Sequence, residues 1–131
     1  MRLSTEQFNA LEHELDSVKQ QVQQQLGDAD ARYIRRVLLV QRLSALSGRI
    51  LMVLGFITPW FWLAGVLLLA LAKILDNMEI GHNVLHGQYD WMNDPVLHSK
   101  RYEWDIACDA GSWQRTHNFE HHTYTNIIGK D

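Results

Sequence analysis

The stretch Ile50-Leu51-Met52-Val53-Leu54-Gly55-Phe56-Ile57-Thr58-Pro59-Trp60-Phe61-Trp62-Leu63-Ala64-Gly65-Val66-Leu67-Leu68-Leu69-Ala70-Leu71-Ala72 contains no charged residue. About 20 apolar residues in one helix span a bilayer. A helix on the surface of a soluble domain keeps a polar face, and this stretch has none. It therefore predicts membrane insertion. Thr58-Pro59-Trp60-Phe61-Trp62 interrupts the run. Proline removes a backbone donor and clashes with the preceding turn. Pro59 thus either kinks a single span or marks the tip of a hairpin, with Trp60 and Trp62 in the aromatic belt.

Charge separates the two topologies. A single span would place Arg35, Arg36, Arg42 and Arg49 on one side and everything after Lys73 on the other. A hairpin keeps all of them on the cytoplasmic side, as the positive-inside rule favours. The expected spans are Val37 to Ile57 and about Trp60 to Asn77. The first requires Gln41, Arg42 and Arg49 to lie near its end or to snorkel.

On the N-terminal side, residues 29–49 read as a basic amphipathic helix that suits a membrane surface. Before it, residues 4–26 read as another amphipathic helix. Ser4 and Gln7 match a capping box. Phe8, Leu11, Leu15, Val18 and Val22 form a coiled-coil-like seam. That seam packs on the rest of its own chain or on a partner helix. Gly27-Asp28 reads as a stop and restart. His13 lies among acidic neighbours on a solvated face. Met1-Arg2-Leu3-Ser4-Thr5-Glu6 does not begin a signal peptide, since no apolar run follows it.

The whole chain has 131 residues and a net charge of −3, which gives no sign of nucleic-acid binding. Its one cysteine, Cys108, excludes an intrachain disulfide and a cysteine-rich metal site. Cys108 lies near Asp105 and Asp109, without a basic partner to make it a thiolate. The mean hydropathy is slightly negative, an average that hides the concentration of apolar residues between Leu43 and Leu75.

On the C-terminal side the helix is expected to leave the membrane after Leu75. Asp76, Glu79, His82, Asn83 and His86 then form one polar stripe at helical spacing. Gly87 is a natural stop, and Asn93-Asp94-Pro95 a turn. Trp91 and Trp104 suit a membrane–water boundary. His98 reads as a loop residue. Trp113 to about Tyr124 reads as a further helix.

Five of the seven histidines fall at His82, His86, His117, His121 and His122. Residues four apart share a helix face, so His82 can aim with His86, and His117 with His121. His122 is rotated about 100° from His121 and could serve a neighbouring point. Neutral imidazole is a ligand for iron, zinc and copper. A zinc protease would need the H-E-x-x-H glutamate, but Asn83 follows His82. The ligands also exceed the three that a catalytic zinc uses. Two nearby ligand groups suggest two metals, with an oxygen-activating iron pair the natural candidate. Asp76 and Glu79 either act as acceptors for ligand imidazoles or only solvate the helix exit, and Glu120, beside His121, is a further candidate acceptor.

The pattern H-x-x-x-H followed by H-x-x-x-H-H resembles the first two histidine boxes of membrane fatty acid desaturases. Bacterial members are the nearest in pattern, through Asn77-Met78-Glu79-Ile80-Gly81-His82-Asn83, Gly87-Gln88-Tyr89-Asp90-Trp91-Met92-Asn93-Asp94-Pro95 and His121-His122-Thr123-Tyr124-Thr125-Asn126. The resemblance implies an all-α integral membrane hairpin with cytoplasmic histidine-bearing helices and an N-terminal amphipathic helix. It implies residues 1–28 as that helix and 29–131 as the N-terminal part of a desaturase domain. The membrane hairpin would run over about 37–77, with histidine boxes at 82–86 and 117–122.

It further implies two iron ions held by His82, His86, His117, His121 and His122, an acyl-chain lipid substrate and dioxygen. A redox protein would donate electrons, and the location would be the bacterial cytoplasmic membrane. The family also carries a third histidine box and a second hairpin, which this sequence lacks. The expectation is thus an N-terminal fragment that does not turn over substrate by itself. A related di-iron hydroxylase or alkane monooxygenase, and a truncated non-catalytic membrane protein, remain alternatives.

Overall fold

The computed structural model describes residues 4–103 and 108–130. The sequence readings at Met1 to Leu3, Trp104, Asp105 and Asp131 lie outside the described residues. The regular elements among them are all helices, with no strand among the described residues. The all-α class follows. The chain divides into two units, Met1–Ile34 and Arg35–Asp131.

The first unit is built on α1 (Thr5–Gln25). Ser4 caps it as its sequence requires. The Gln7 amide donates to Ser4 Oγ at 3.2 Å, and the Ser4 amide donates to Gln7 Oε1 at 2.9 Å. That reciprocal pair satisfies donors that the first turn leaves open. Phe8, Leu11, Leu15, Val18 and Val22 are all exposed. Leu26 and Gly27 break the helix, and α2 (Asp28–Leu54) starts at once. Its first turn is fixed by the Gly27 amide donating to Asp30 Oδ2 at 3.0 Å.

In the second unit α2 runs on to Leu54, so the basic helix and the first apolar run are one element. Residues 55–58 make the turn, and α3 (Pro59–Ile74) returns. Pro59 occupies the first position of α3, where its missing N–H costs nothing and its fixed φ suits the helix. Pro59 starts a second helix rather than kinking one.

The two helices touch backbone to backbone. A Cβ on Gly65 would lie 2.9 Å from Met52 N and 3.0 Å from Gly48 O, and one on Gly48 would lie 3.1 Å from Gly65 O. Nearer the turn, a Cβ on Gly55 would lie 2.9 Å from Trp62 Cβ. Small residues at such a seam let apolar helices approach closely without interlocking side chains.

The helix that begins at Pro59 continues to Leu85. Both Asp28–Leu54 and Pro59–Leu85 are long and apolar enough to cross a membrane. Only 11% of each apolar window is buried, so neither is a core helix within this chain. Phe56, Ile57 and Trp60 at the turn are among the most exposed apolar residues.

The continuation departs from the α-helix that its spacing predicts. Leu75–Gly81 is a π-helical segment, followed by α4 (His82–Leu85). The His82 amide donates to the Asn77 carbonyl, five residues back. Within this stretch the Glu79 carbonyl accepts side-chain bonds from Asn83 Nδ2 at 2.7 Å and Tyr89 Oη at 2.9 Å. Ile80, Val84 and Leu85 are buried, as is Leu97 from the following loop. They form the densest part of the unit.

Gly87 ends the helix with φ of 74°, a conformation open to glycine without strain. Asn93 enters the left-handed region at φ 49°, and Asp94 Oδ1 accepts from the amides of Val96 and Leu97. This is the turn expected at Asn93-Asp94-Pro95. Arg35 Nη2 meets Asp94 Oδ2 at 3.3 Å, joining this loop to α2.

The expected helix over Trp113 to Tyr124 is also mixed. It consists of α5 (Ala110–Trp113), a π-helical segment (Gln114–His121) and α6 (His122–Tyr124). Asp109 caps it, with its side chain accepting from the Ser112 amide at 2.9 Å.

Candidate metal centre

The two histidine segments come together although about thirty residues separate them in sequence. His82 and His86 share a face of α4 and of the turn after it. Their Nε2 atoms lie 3.1 Å apart. His117 arrives from the second segment, with its ring centroid 4.9 Å from that of His82 and 5.3 Å from that of His86. One nitrogen from each of His82, His86 and His117 lies within 4.8 Å of the other two.

The π-helical turn decides where the last two histidines go. In an α-helix His122 would be rotated about 100° beyond His121. Here the chain is wound more widely, and the His122 amide donates to the His117 carbonyl five residues back. The wider turn lets positions four and five after His117 flank it. The His121 ring stacks beside His117 at 5.3 Å, and the His122 ring meets His117 edge-on at 4.9 Å. His122 also reaches His86, at 5.1 Å. All five imidazoles thus belong to one contiguous cluster.

Trp113 walls this cluster, a role its sequence position does not announce. Its ring stacks on His117 at 4.2 Å and meets His82 and His86 edge-on. The aromatic face covers one side of the His117 ring. Burial, then the neighbouring His82, His122, His86 and His121, push the His117 pKa down to about 4. Burial, then His82 and His122, push that of His86 below its usual value. Both rings are therefore neutral at pH 7, with a lone pair free for a metal.

The donor set fits a metal ion on two counts. His117 Nε2 is buried and has no hydrogen-bond partner. A buried imidazole nitrogen left unpaired is costly, and a metal ion would satisfy it. Two nitrogens about 2.1 Å from one ion, at angles of about 90–110°, lie about 3.0–3.5 Å apart. The His82–His86 separation already matches this.

Contacts of the three acidic candidates are as follows. Asp76 Oδ1 accepts from Tyr102 Oη at 3.4 Å. Glu120 pairs with Arg115 at 3.5 Å on the surface. Glu79 contributes its backbone carbonyl to Asn83 and Tyr89. His98 is a loop residue: its Nδ1 lies 3.5 Å from Asp90 Oδ1 and accepts from the Lys100 amide. Cys108 is exposed.

Tyr102 was not legible as a site residue. Burial, then Asp76 beside it, raises its pKa to about 12. It therefore stays protonated and donates to Asp76 at the start of the first histidine segment.

Comparison with known proteins gives relatives of one kind. Over 118 residues, 90% of the chain, it is 52% identical to a Mycobacterium tuberculosis protein named NADPH-dependent stearoyl-CoA 9-desaturase. Over 72 residues it is 32% identical to the sn-1 linoleoyl-lipid 6-desaturase of Synechocystis, and over 77 residues equally so to that of Arthrospira platensis. The chain spans 27% of the length of the mycobacterial relative, and 19% and 20% of the other two. No family model matches it, and no solved structure does.

Proposed function

From the premise that this chain belongs to the bacterial fatty acid desaturase family, we propose that it forms part of an acyl-chain desaturase whose oxidising centre is a pair of irons. The observation that carries this reading is the convergence of imidazoles from two distant segments, in a sequence 52% identical to a stearoyl-CoA desaturase. The reaction removes two hydrogens from adjacent methylenes. One dioxygen, two electrons and two protons are consumed with them, giving a cis double bond and two waters.

His82, His86, His117, His121 and His122 are the residues we assign as ligands. Further ligands would come from outside this chain. When bound, the irons supply reductive activation of dioxygen, which side chains cannot provide. The chain's own residues do the rest. Neutral His86 and His117 offer lone pairs without first releasing a proton. Trp113 closes one side of the cluster and keeps water from it. Tyr102 and Asp76 brace the segment that carries His82 and His86.

The antiparallel order of α2 and α3 supports a membrane hairpin. Arg32, Arg35 and Arg36 lie towards the start of α2, with Arg42 at its middle and Arg49 nearer the turn, and Lys73 lies at the end of α3. Antiparallel helices carry those two ends to the same side, which the positive-inside rule makes cytoplasmic. The histidine segments follow Lys73 and share that side. The hairpin spans about 37–77, within a desaturase domain that starts near residue 29 and follows the N-terminal helix. The acyl substrate enters from the bilayer. A redox protein supplies the electrons, with NADPH as their source by analogy with the relative's name.

The test is expression of the gene's full reading frame in bacterial membranes, followed by lipid analysis and metal content. New cis-unsaturated chains, lost on His121→Ala, with iron in the purified protein, are expected. Hydroxylated chains without new double bonds would move the protein to the hydroxylase class. Zinc alone in the purified protein would overturn the mechanism.

A further inference from the structure

Leu85 precedes His86, and its carbonyl lies in the last turn of the first histidine segment, where backbone acceptors lose helical partners. Two side chains of the second segment donate to it. Asn118 Nδ2 lies at 2.9 Å and Gln114 Nε2 at 3.4 Å. Gln114 Nε2 also reaches the Ser99 carbonyl at 3.2 Å. Asn118 in turn follows His117. An acceptor one residue from His86 is thus tied to a donor one residue from His117.

We propose that Asn118 and Gln114 are positioning residues, which clamp the Leu85 carbonyl and so set the distance between the two histidine segments. The proposal rests on the metal reading of His82, His86 and His117. The two ends of the clamp differ in rigidity. Leu85 is buried with Ile80 and Val84, whereas no described residue from Ala110 to Tyr124 is buried. Besides the edge-on contacts of Trp113, the second segment therefore has no buried apolar anchor, and directional bonds help to place it.

The amide of Asn118 suits this use. Its Oδ1 is buried without a partner. Turning the side chain over would set that oxygen against the Leu85 carbonyl, so the bonded orientation is fixed. Asn118→Asp keeps the shape but replaces the donor by an acceptor that repels the carbonyl. Asn118→Gln keeps the amide.

Cobalt(II) titration of the protein, purified in detergent without metal, tests the clamp. The visible ligand-field spectrum reports the number and arrangement of nitrogen ligands. Asn118→Asp and Gln114→Leu should each weaken cobalt binding about 10-fold, and together about 100-fold, in the range seen for residues that orient metal ligands. Both should shift the spectrum, and Asn118→Gln should stay close to wild type.

A merely structural role would lower the unfolding midpoint and leave spectrum and affinity unchanged in the folded fraction. That outcome overturns the clamp. Should Asn118→Asp fail to fold, Gln114→Leu alone decides by the same criterion. A wild-type protein that takes up no cobalt overturns the metal reading itself, and is distinguished by needing no variant.

Discussion

The two histidine segments present the same ligand type but are held by different forces. The first grows out of α3 and backs onto buried Ile80, Val84 and Leu85. The second is a short helix with no buried residue, attached through amide hydrogen bonds and the edge-on contacts of Trp113 with His82 and His86. One is a wall and the other is docked against it. Hydrophobic burial is strong but non-directional, whereas a few hydrogen bonds are weaker and fix geometry. A site that must hold nitrogens within tenths of an ångström uses both.

This contrast can be broken at several points. The largest effect is expected at the proposed ligands. His86→Ala and His117→Ala should each reduce metal uptake by at least about 100-fold, measured by metal content after dialysis. Equal uptake in either variant would remove that residue from the centre.

Next come the supports. Ile80→Ala or Leu85→Ala should destabilise by about 2–4 kcal/mol, as cavities in a packed core do. Phe119→Ala, on the exposed side of the second segment, should change stability by less than about 0.5 kcal/mol. Thermal unfolding in detergent compares them, and a Phe119 effect as large as that of Ile80 would contradict the contrast.

At the helix seam, Gly65→Val should cost about 1–3 kcal/mol, because Met52 N and Gly48 O leave no room for a Cβ. A variant as stable as wild type would show that α2 and α3 can part without loss. Tyr102→Phe should cost about 1 kcal/mol, the scale of one hydrogen bond. The Tyr102 phenol should also remain un-ionised in an absorbance titration at pH 11, below its raised pKa of about 12.

The smallest effect concerns pH. Burial raises the Asp90 pKa, but the Ser99 hydroxyl and amide outweigh it and leave the carboxyl below its usual value. The unfolded chain then takes up this proton at higher pH than the folded one. The stabilisation is complete above the unfolded value, near pH 4, and is lost as pH falls through the lowered folded value. Ser99→Ala should therefore weaken the protein at pH 7 and flatten its loss of stability in acid. An unchanged acid profile would show that Asp90 contributes nothing through Ser99.

Much of this was readable from local sequence. The Ser4–Gln7 capping box is a contact over three residues, and it forms as written. Pro59 carried the break between the two apolar helices. The i, i+4 spacing brought His82 to His86. What spacing could not carry was long-range. Tyr102 to Asp76, Asn118 to Leu85 and Trp113 to His82 are contacts between segments, and none leaves a periodic trace. The π-helical turns were illegible for a related reason. Residues 114–121 have an ordinary helical composition, and only the structure shows bonds running five residues back.

Those turns change what a histidine motif means. An α-helix advances about 100° per residue, while a chain bonded five residues back advances about 80–85°. Positions four and five after His117 in the wide turn therefore point much where positions three and four would point in an α-helix. The spacings H-x-x-x-H-H and H-x-x-H-H become interchangeable whenever the winding changes with them. Removing the exposed Phe119 from the sequence would shorten the motif by one residue and let the turn tighten, with the same rings still facing inward. At this site a one-residue deletion should therefore be a milder change than a substitution of a proposed ligand, because the helix can absorb a residue that the cluster does not count.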